Sequence, residues 1–147
     1  MKNLFNISGK IAVVTGGSRG IGAMIARGFV ENGAKTYICS RKEKDVTETA
    51  KNLSRYGECI GITADLSTVA GIEKFVSDIA AREEKIDILV NNAGAVWAAP
   101  LDEFPETGWD KIMDINLKSV FYLTQKFLPL LRASVTDDNL ARIINIA

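Results

Sequence analysis

The sequence contains no histidine. A Ser-His-Asp triad, a Cys-His pair and a His-ligated zinc site are therefore excluded within these 147 residues. Cysteine is scarce as well, with Cys39 and Cys59 the two present. Neither belongs to a C-x-x-C pair, and each lies in an apolar run. Both read as buried free thiols of a reducing compartment. Charge of either sign is not in excess, since 18 Lys+Arg balance 18 Asp+Glu. That leaves no basic face for nucleic acid and no polybasic block for a membrane surface. No apolar run approaches the ~20 residues of a membrane span. The opening MKNLFNISGK lacks the apolar stretch and small-residue cleavage site of a secretory leader. These absences lead to the expectation of a cytoplasmic protein without a metal, a nucleic-acid partner or a membrane attachment.

What is present is an ordinary globular composition, 47% hydrophobic and 24% charged. Residues 1–147 are enough for one domain or part of one. Strand and helix patterns alternate along it. Ile11–Thr15 is a short β-branched run, and Gly20–Asn32 has helical spacing and stops at Gly33. Lys35–Ser40 is a second strand, Lys44–Tyr56 a charged helix, and Cys59–Ala64 a third strand. Thr68–Lys85 is amphipathic, with Ile72, Phe75, Val76 and Ile79 on one face, and Ile86–Asn91 is a fourth strand. Gly94–Pro105 is a loop, Glu106–Arg132 one long helix, Ala133–Leu140 a polar connection and Ala141–Ala147 a fifth strand.

Strands separated by helices require parallel pairing with right-handed crossovers. Near-continuous apolar strands imply a sheet covered on both faces. The expected fold is α/β, a doubly wound parallel (Rossmann) sheet in the order 3-2-1-4-5. The terminal run Arg142–Ala147 has no turn, cap or polar tail after it. The chain is therefore expected to break off within its fifth strand, leaving a raw apolar edge prone to aggregation.

The first crossover carries the chemistry. Thr15-Gly16-Gly17-Ser18-Arg19-Gly20-Ile21-Gly22 joins strand to helix in a G-x-x-x-G-x-G pattern. Glycines there let backbone approach a diphosphate, and the helix N-terminus faces its charge. The spacing is not G-x-G-x-x-G, and no Gly-Lys-Ser/Thr follows to make a P-loop. The second strand ends Cys39-Ser40-Arg41, with no acid to hold a ribose 2′-hydroxyl. Arg41 at that strand end and Arg19 inside the turn both suit a 2′-phosphate, which points to NADP(H).

With these residues in place, the chain resembles the short-chain dehydrogenase/reductase family over essentially its whole length. Thr15-Gly16-x-x-x-Gly20-x-Gly22, Asp65-Leu66, Asn91-Asn92-Ala93-Gly94 and Asn116 within Asp114-Ile115-Asn116-Leu117 carry the resemblance. The resemblance implies that Gly16, Ser18, Arg19, Gly20, Ile21, Gly22, Ser40, Arg41, Asp65, Leu66, Asn92, Ala93 and Gly94 line the cofactor. It places the Asp65 side chain against the adenine ring. On the residues alone, Asp65 could start a turn before Ser67-Thr68, but its place at the carboxyl end of the third strand favours binding.

Asn116 falls about 20° from Trp109 around the long helix, on a stripe with Ile112, Met113, Leu117, Val120, Thr124 and Phe127 expected to face the core. It is either a satisfied structural amide, at a helix kink for instance, or, as the resemblance implies, a catalytic residue holding a water in a proton relay.

Tyr122 and Lys126 have the family's Tyr-x-x-x-Lys spacing, but they precede the fifth strand. Tyr122 also sits about 120° around the helix from Asn116. They read as a surface or interface pair. The resemblance implies that the catalytic Ser, Tyr and Lys would follow Ala147, so little catalysis is expected of this chain by itself. FNISGKIAVVTGGSRGIG and LLRASVTDDNLARIINIA are similar to β-ketoacyl reductases of the rhamnolipid-precursor type. A ketone or 3-oxoacyl thioester substrate, and a homo-dimer or homo-tetramer formed through the long helix, are what that implies. Phe121 and Leu128 lie outside the core stripe and suit a second buried face. A non-catalytic NADP(H)-binding module is the alternative.

Overall fold

Ile11–Thr15 forms a strand, β1, whose last four residues are buried on both faces. Its β-branched side chains suit a pleated surface covered above and below. The computed structural model describes residues 5–147; the first four residues, part of the segment lacking a leader pattern, lie outside the described residues. β1 pairs with β2 (Lys35–Ser40) on one side and β4 (Ile88–Asn91) on the other. β3 (Cys59–Thr63) lies outside β2, and β5 (Arg142–Asn145) lies outside β4. All pairs are parallel and the order is β3-β2-β1-β4-β5, as the alternation predicts. In register, Val13 faces Tyr37 and Leu89, Tyr37 faces Ile60, and Leu89 faces Ile143.

The two-residue alternation of the strands divides the core in two. On one face Ala12, Val14, Ile38, Ile88 and Val90 pack against α1 (Gly20–Glu31) and α2 (Glu43–Leu53). On the other, Val13, Tyr37 and Leu89 pack against α3 (Val69–Ala80) and the long C-terminal helix. Phe75 and Phe127 meet edge to face there, with ring centroids 5.9 Å apart. Cys39 and Cys59 are buried free thiols. Burial pushes Cys39 up to about 12 and Cys59 up to about 11.

Several boundaries differ from the sequence reading. α2 stops at Leu53, three residues short of Tyr56, where Ser54 Oγ reaches Ala50 O at 2.8 Å and Cys59 O at 3.0 Å. α3 begins after Thr68, whose Oγ1 accepts from Gly71 N–H at 3.1 Å, and ends at Ala80 instead of Lys85. Leaving the helix brings Glu83 under the sheet, where it accepts from Tyr37 Oη at 2.5 Å and pairs with Lys35 at 2.6 Å. Burial, then the Glu83 hydrogen bond, pushes the Tyr37 phenol up to about 12. β4 starts at Ile88 because Ile86 and Asp87, though buried, serve the amino end of the sheet. Asp87 Oδ2 accepts from Ile11 N–H at 2.9 Å, and Oδ1 accepts from Asn139 Nδ2 at 2.8 Å.

The expected long helix is three pieces. α4 (Glu106–Met113) passes through one π-helical turn, Asp114–Lys118, into α5 (Ser119–Ala133). The wide turn adds one residue to the helical count. Five α-helical turns carry Phe127 back to Trp109; one added residue carries it to Gly108. Gly108 is indeed the buried one, and Trp109 is 59% exposed. The core stripe is accordingly Ile115, Ser119, Leu123, Phe127 and Leu131, not the Trp109–Leu117 stripe that uniform periodicity predicts. Leu117 and Phe121 are exposed. Among the described residues no helix is long and apolar enough to cross a membrane. β5 lies at the sheet edge with Ile143, Ile144 and Ile146 exposed.

Candidate functional site

At the carboxyl end of the sheet, the β1–α1 turn is shaped by contacts with the segment after β4. Thr15 Oγ1 donates to Val90 O at 3.3 Å and accepts from Asn92 N–H and Ala93 N–H, each at 3.0 Å. Asn92 Nδ2 donates back to Thr15 O at 3.0 Å. These bonds bring the turn and Asn92–Ala93 together too closely for side chains on the turn. Gly16 has φ +65°, and a Cβ there would lie 2.9 Å from Ala93 Cα. A Cβ on Gly22 would lie 2.3 Å from Gly16 O. Both glycines are therefore required by local geometry.

A cleft of about 550 Å³ opens beside this turn. Gly16, Ser18, Arg19, Gly20, Ile21 and Gly22 form its first wall. Ser40 and Arg41 line it from the end of β2, Leu66 from beyond β3, and Asn92, Ala93 and Gly94 from beyond β4. Twelve of the thirteen residues expected at the cofactor thus share one cleft, and Asp65 is the thirteenth. Its Oδ1 accepts from Ser67 Oγ at 2.7 Å and from Ser67 N–H at 3.0 Å, an Asx turn, and it does not line the cleft. The Ser67 hydroxyl, then its amide, then the Arg41 charge hold this carboxyl below the usual range. Of the two readings of Asp65, the turn is the one the structure displays.

Asn116 is exposed, which corrects its expected place on the core stripe. It sits in the π-helical turn, where Ile115 takes the inward position. Its Oδ1 accepts from Ala95 N–H at 2.8 Å and its Nδ2 donates to Ala95 O at 2.9 Å. The amide thus pins the loop that forms one cleft wall. Trp97 docks the same loop on α4, its ring so close to Gly108 that a Cβ there would lie 2.8 Å away. Lys111 Nζ sits 5.3 Å from the centroid of that ring. Tyr122 and Lys126 lie elsewhere. Lys126 pairs with Glu73 of α3 at 2.6 Å, and Tyr122 meets Phe121 edge to face. Neither lines the cleft.

Sequence reading missed Lys111, Asp114 and Ile115, which line the cleft from α4 and the π turn. An even helical period gives no sign of that turn. It also missed Cys39, Ala64, Ser67 and Ala95, neighbours of residues it did single out.

The cleft suits a dinucleotide on its own geometry. α1 begins after Arg19 with no side-chain cap and no acid in its first turn, so its leading N–H groups and positive dipole end face outward. Gly20, at φ +55°, has nothing within 4 Å of a notional Cβ, so a ligand can approach the bare backbone. Arg19 and Arg41 both line the cleft, one from the turn and one from the residue that follows β2. Among the described residues no group of three or more His, Cys, Asp or Glu could hold a metal ion.

Comparison with known proteins agrees with this geometry. The family described as short chain dehydrogenase matches residues 10–147. The rhamnolipids biosynthesis 3-oxoacyl-[acyl-carrier-protein] reductase of Pseudomonas aeruginosa is 49% identical over 99% of this chain and 57% of its own length. A 2-dehydro-3-deoxy-D-gluconate 5-dehydrogenase of Dickeya dadantii is 36% identical over 99% of this chain and 56% of its own. Among solved structures, the Pseudomonas aeruginosa RhlG/NADP active-site complex superposes with a TM-score of 0.96 at 48% identity, over 100% of this chain and 57% of that one. A metagenomic short-chain oxidoreductase in complex with NADP gives 0.87 at 34% identity, over 97% of this chain and 63% of that one. The chain spans a little over half the length of these relatives. Fold, cleft and sequence match together show that the chain belongs to the short-chain dehydrogenase family.

Proposed function

We propose that this chain is the NADP(H)-binding part of an oxidoreductase that interconverts a carbonyl and an alcohol, with a 3-oxoacyl thioester as the substrate of the whole protein. The observation that carries the cofactor choice is the pair Arg19 and Arg41 in one cleft, with Ser40 and no acid at the end of β2. The substrate class is supported by the 49% identity to a 3-oxoacyl reductase.

When bound, NADPH supplies hydride. The roles of the chain's own residues follow from their positions. The uncapped N-terminus of α1 and the glycine turn hold the diphosphate, because their N–H groups need an acceptor and their lack of side chains permits contact. Arg19 and Arg41 hold the 2′-phosphate by charge-assisted hydrogen bonds. Thr15 keeps Asn92 and Ala93 against the turn, so the wall facing the ribose is set before any ligand arrives. Asn116 fixes Ala95 and with it the next part of that wall. Asn116 also holds a water in the proton relay of the whole protein.

The exposed Trp109, Leu117 and Phe121 on α4, the π turn and α5 support assembly of the whole protein as a homo-dimer or homo-tetramer through this helix. A cytoplasmic location accords with buried, unpaired Cys39 and Cys59. The second reading, a binding module without turnover, rests on Tyr122 and Lys126 lying away from the cleft.

Binding separates the cofactors, and turnover separates the two readings. NADPH is expected to bind at least tenfold more tightly than NADH, about 1.4 kcal/mol, and Arg41→Asp should remove that preference. Equal affinities in the unaltered chain would refute the cofactor choice. NADPH oxidation by the whole protein with a 3-oxoacyl thioester supports the reductase, and tight binding with no turnover supports the module.

A further inference from the structure

The β1–α1 turn is anchored by different elements along its length. Thr15 and Gly16 are tied to the segment after β4. Gly17 N–H donates to Cys39 O of β2 at 3.1 Å, and a Cβ on Gly17 would lie 2.6 Å from Ile38 Cβ. At Ser18 the turn leaves the sheet, and its carbonyl accepts from Thr49 Oγ1 at 2.8 Å. Thr49 lies in α2, half-buried, and does not line the cleft. A threonine hydroxyl inside a helix commonly bonds back to its own helix; this one reaches a separate element 31 residues away in sequence.

We infer that Thr49 is a positioning residue for the 2′-phosphate end of the cofactor, an inference that rests on the NADP(H) reading above. The Ser18–Arg19 peptide is planar, so its carbonyl and its N–H point in opposite directions. Turning Ser18 O towards α2 turns Arg19 N–H away from it. The hydrogen bond also keeps a partly negative oxygen from rotating into a cleft that receives phosphates. Arg19 follows directly, in extended conformation with φ −161°. Arg41 stands two residues before the first residue of the same helix. α2 therefore indexes both cations, Arg41 through the chain and Arg19 through Thr49. The backbone positions from which the two arginines reach the cleft are set by one rigid element instead of by two loops.

The test is titration of the chain with NADPH and with NADH, unaltered and as Thr49→Val, which keeps the branched shape and removes the donor. NADPH affinity should fall about fivefold, the worth of one ordinary hydrogen bond, while NADH affinity changes less than about twofold. Thr49→Ser keeps the hydroxyl and should restore NADPH affinity to within about twofold. A merely structural role of the hydroxyl would weaken both cofactors alike. Thr49→Ala gives the same readout should Thr49→Val fail to fold. An equal loss for NADPH and NADH, or no loss for NADPH, overturns the inference. An unaltered chain with no preference for NADPH overturns the NADP(H) reading and this inference with it. A preference left undiminished by loss of the Thr49 hydroxyl overturns the inference alone.

Discussion

The two ends of the sheet are built to opposite rules. At the amino end, polar groups are matched to one another. Asp87, 1% exposed, accepts from Ile11 N–H and Asn139 Nδ2 and has Lys10 Nζ 3.8 Å away. Lys10 Nζ in turn donates to Asn139 Oδ1. Glu83 joins Tyr37 and Lys35 in a second set, which Lys35 extends to Glu58 at 3.1 Å. At the carboxyl end, backbone is left open: bare glycines, an uncapped helix start and two arginines around a 550 Å³ cleft. Polar groups satisfied within the fold serve stability, and those left facing a cleft are available to a ligand. Removing groups from one end should therefore change stability, and removing them from the other should change binding.

The sharpest break of this contrast is Asp87→Ala. It strips Ile11 N–H and Asn139 of a buried acceptor and should lower unfolding free energy by about 3 kcal/mol in a denaturant melt. NADPH affinity of the folded fraction should stay within about twofold. At the other end, Gly22→Ala forces a Cβ against Gly16 O and the Asn92 amide. It should cost about 2 kcal/mol of binding, near thirtyfold in NADPH affinity by calorimetry. A variant that loses stability instead, with affinity intact, would blur the division.

Asn116→Ala removes both bonds to Ala95 and should cost about 1 kcal/mol of stability in the same melt. The residue is exposed, so water replaces part of what is lost. The smallest effect concerns Asp65. Its carboxyl is held below the usual range in the folded chain, so its contribution is present above that range and is lost as pH falls through its lowered value. The stability gap between the chain and Asp65→Asn should therefore narrow between pH 6 and acid. A gap that widens on acidification would contradict the Ser67 and Arg41 contacts.

The architecture was legible because each strand and helix declares itself locally. The apolar β-branched run of β1 ends at Gly16, and the first helix stops before Gly33. The glycine turn was legible because a strand, Gly16, Gly20, Gly22 and a helix follow in fixed order. Three features were not. The π-helical turn at Asp114–Lys118 breaks helical periodicity by one residue, and it moved Trp109 and Asn116 off the predicted core stripe. Glu83 left α3 for partners on β2, Tyr37 and Lys35, that are far away in sequence. Thr49 looked like any polar residue of a charged helix until the fold placed Ser18 O beside it. All three depend on contacts between distant elements, which local pattern does not encode.

The most direct measurement is a titration of the isotopically labelled chain with NADPH, followed by amide resonances. The largest shifts should fall at Ser18–Gly22, Arg41, Leu66–Ser67 and Asn92–Ala95, with Lys10, Glu83 and Asp87 unmoved. Shifts concentrated at the amino end of the sheet, or at β5 with the glycine turn silent, would contradict the assignment of the carboxyl-end cleft to the dinucleotide.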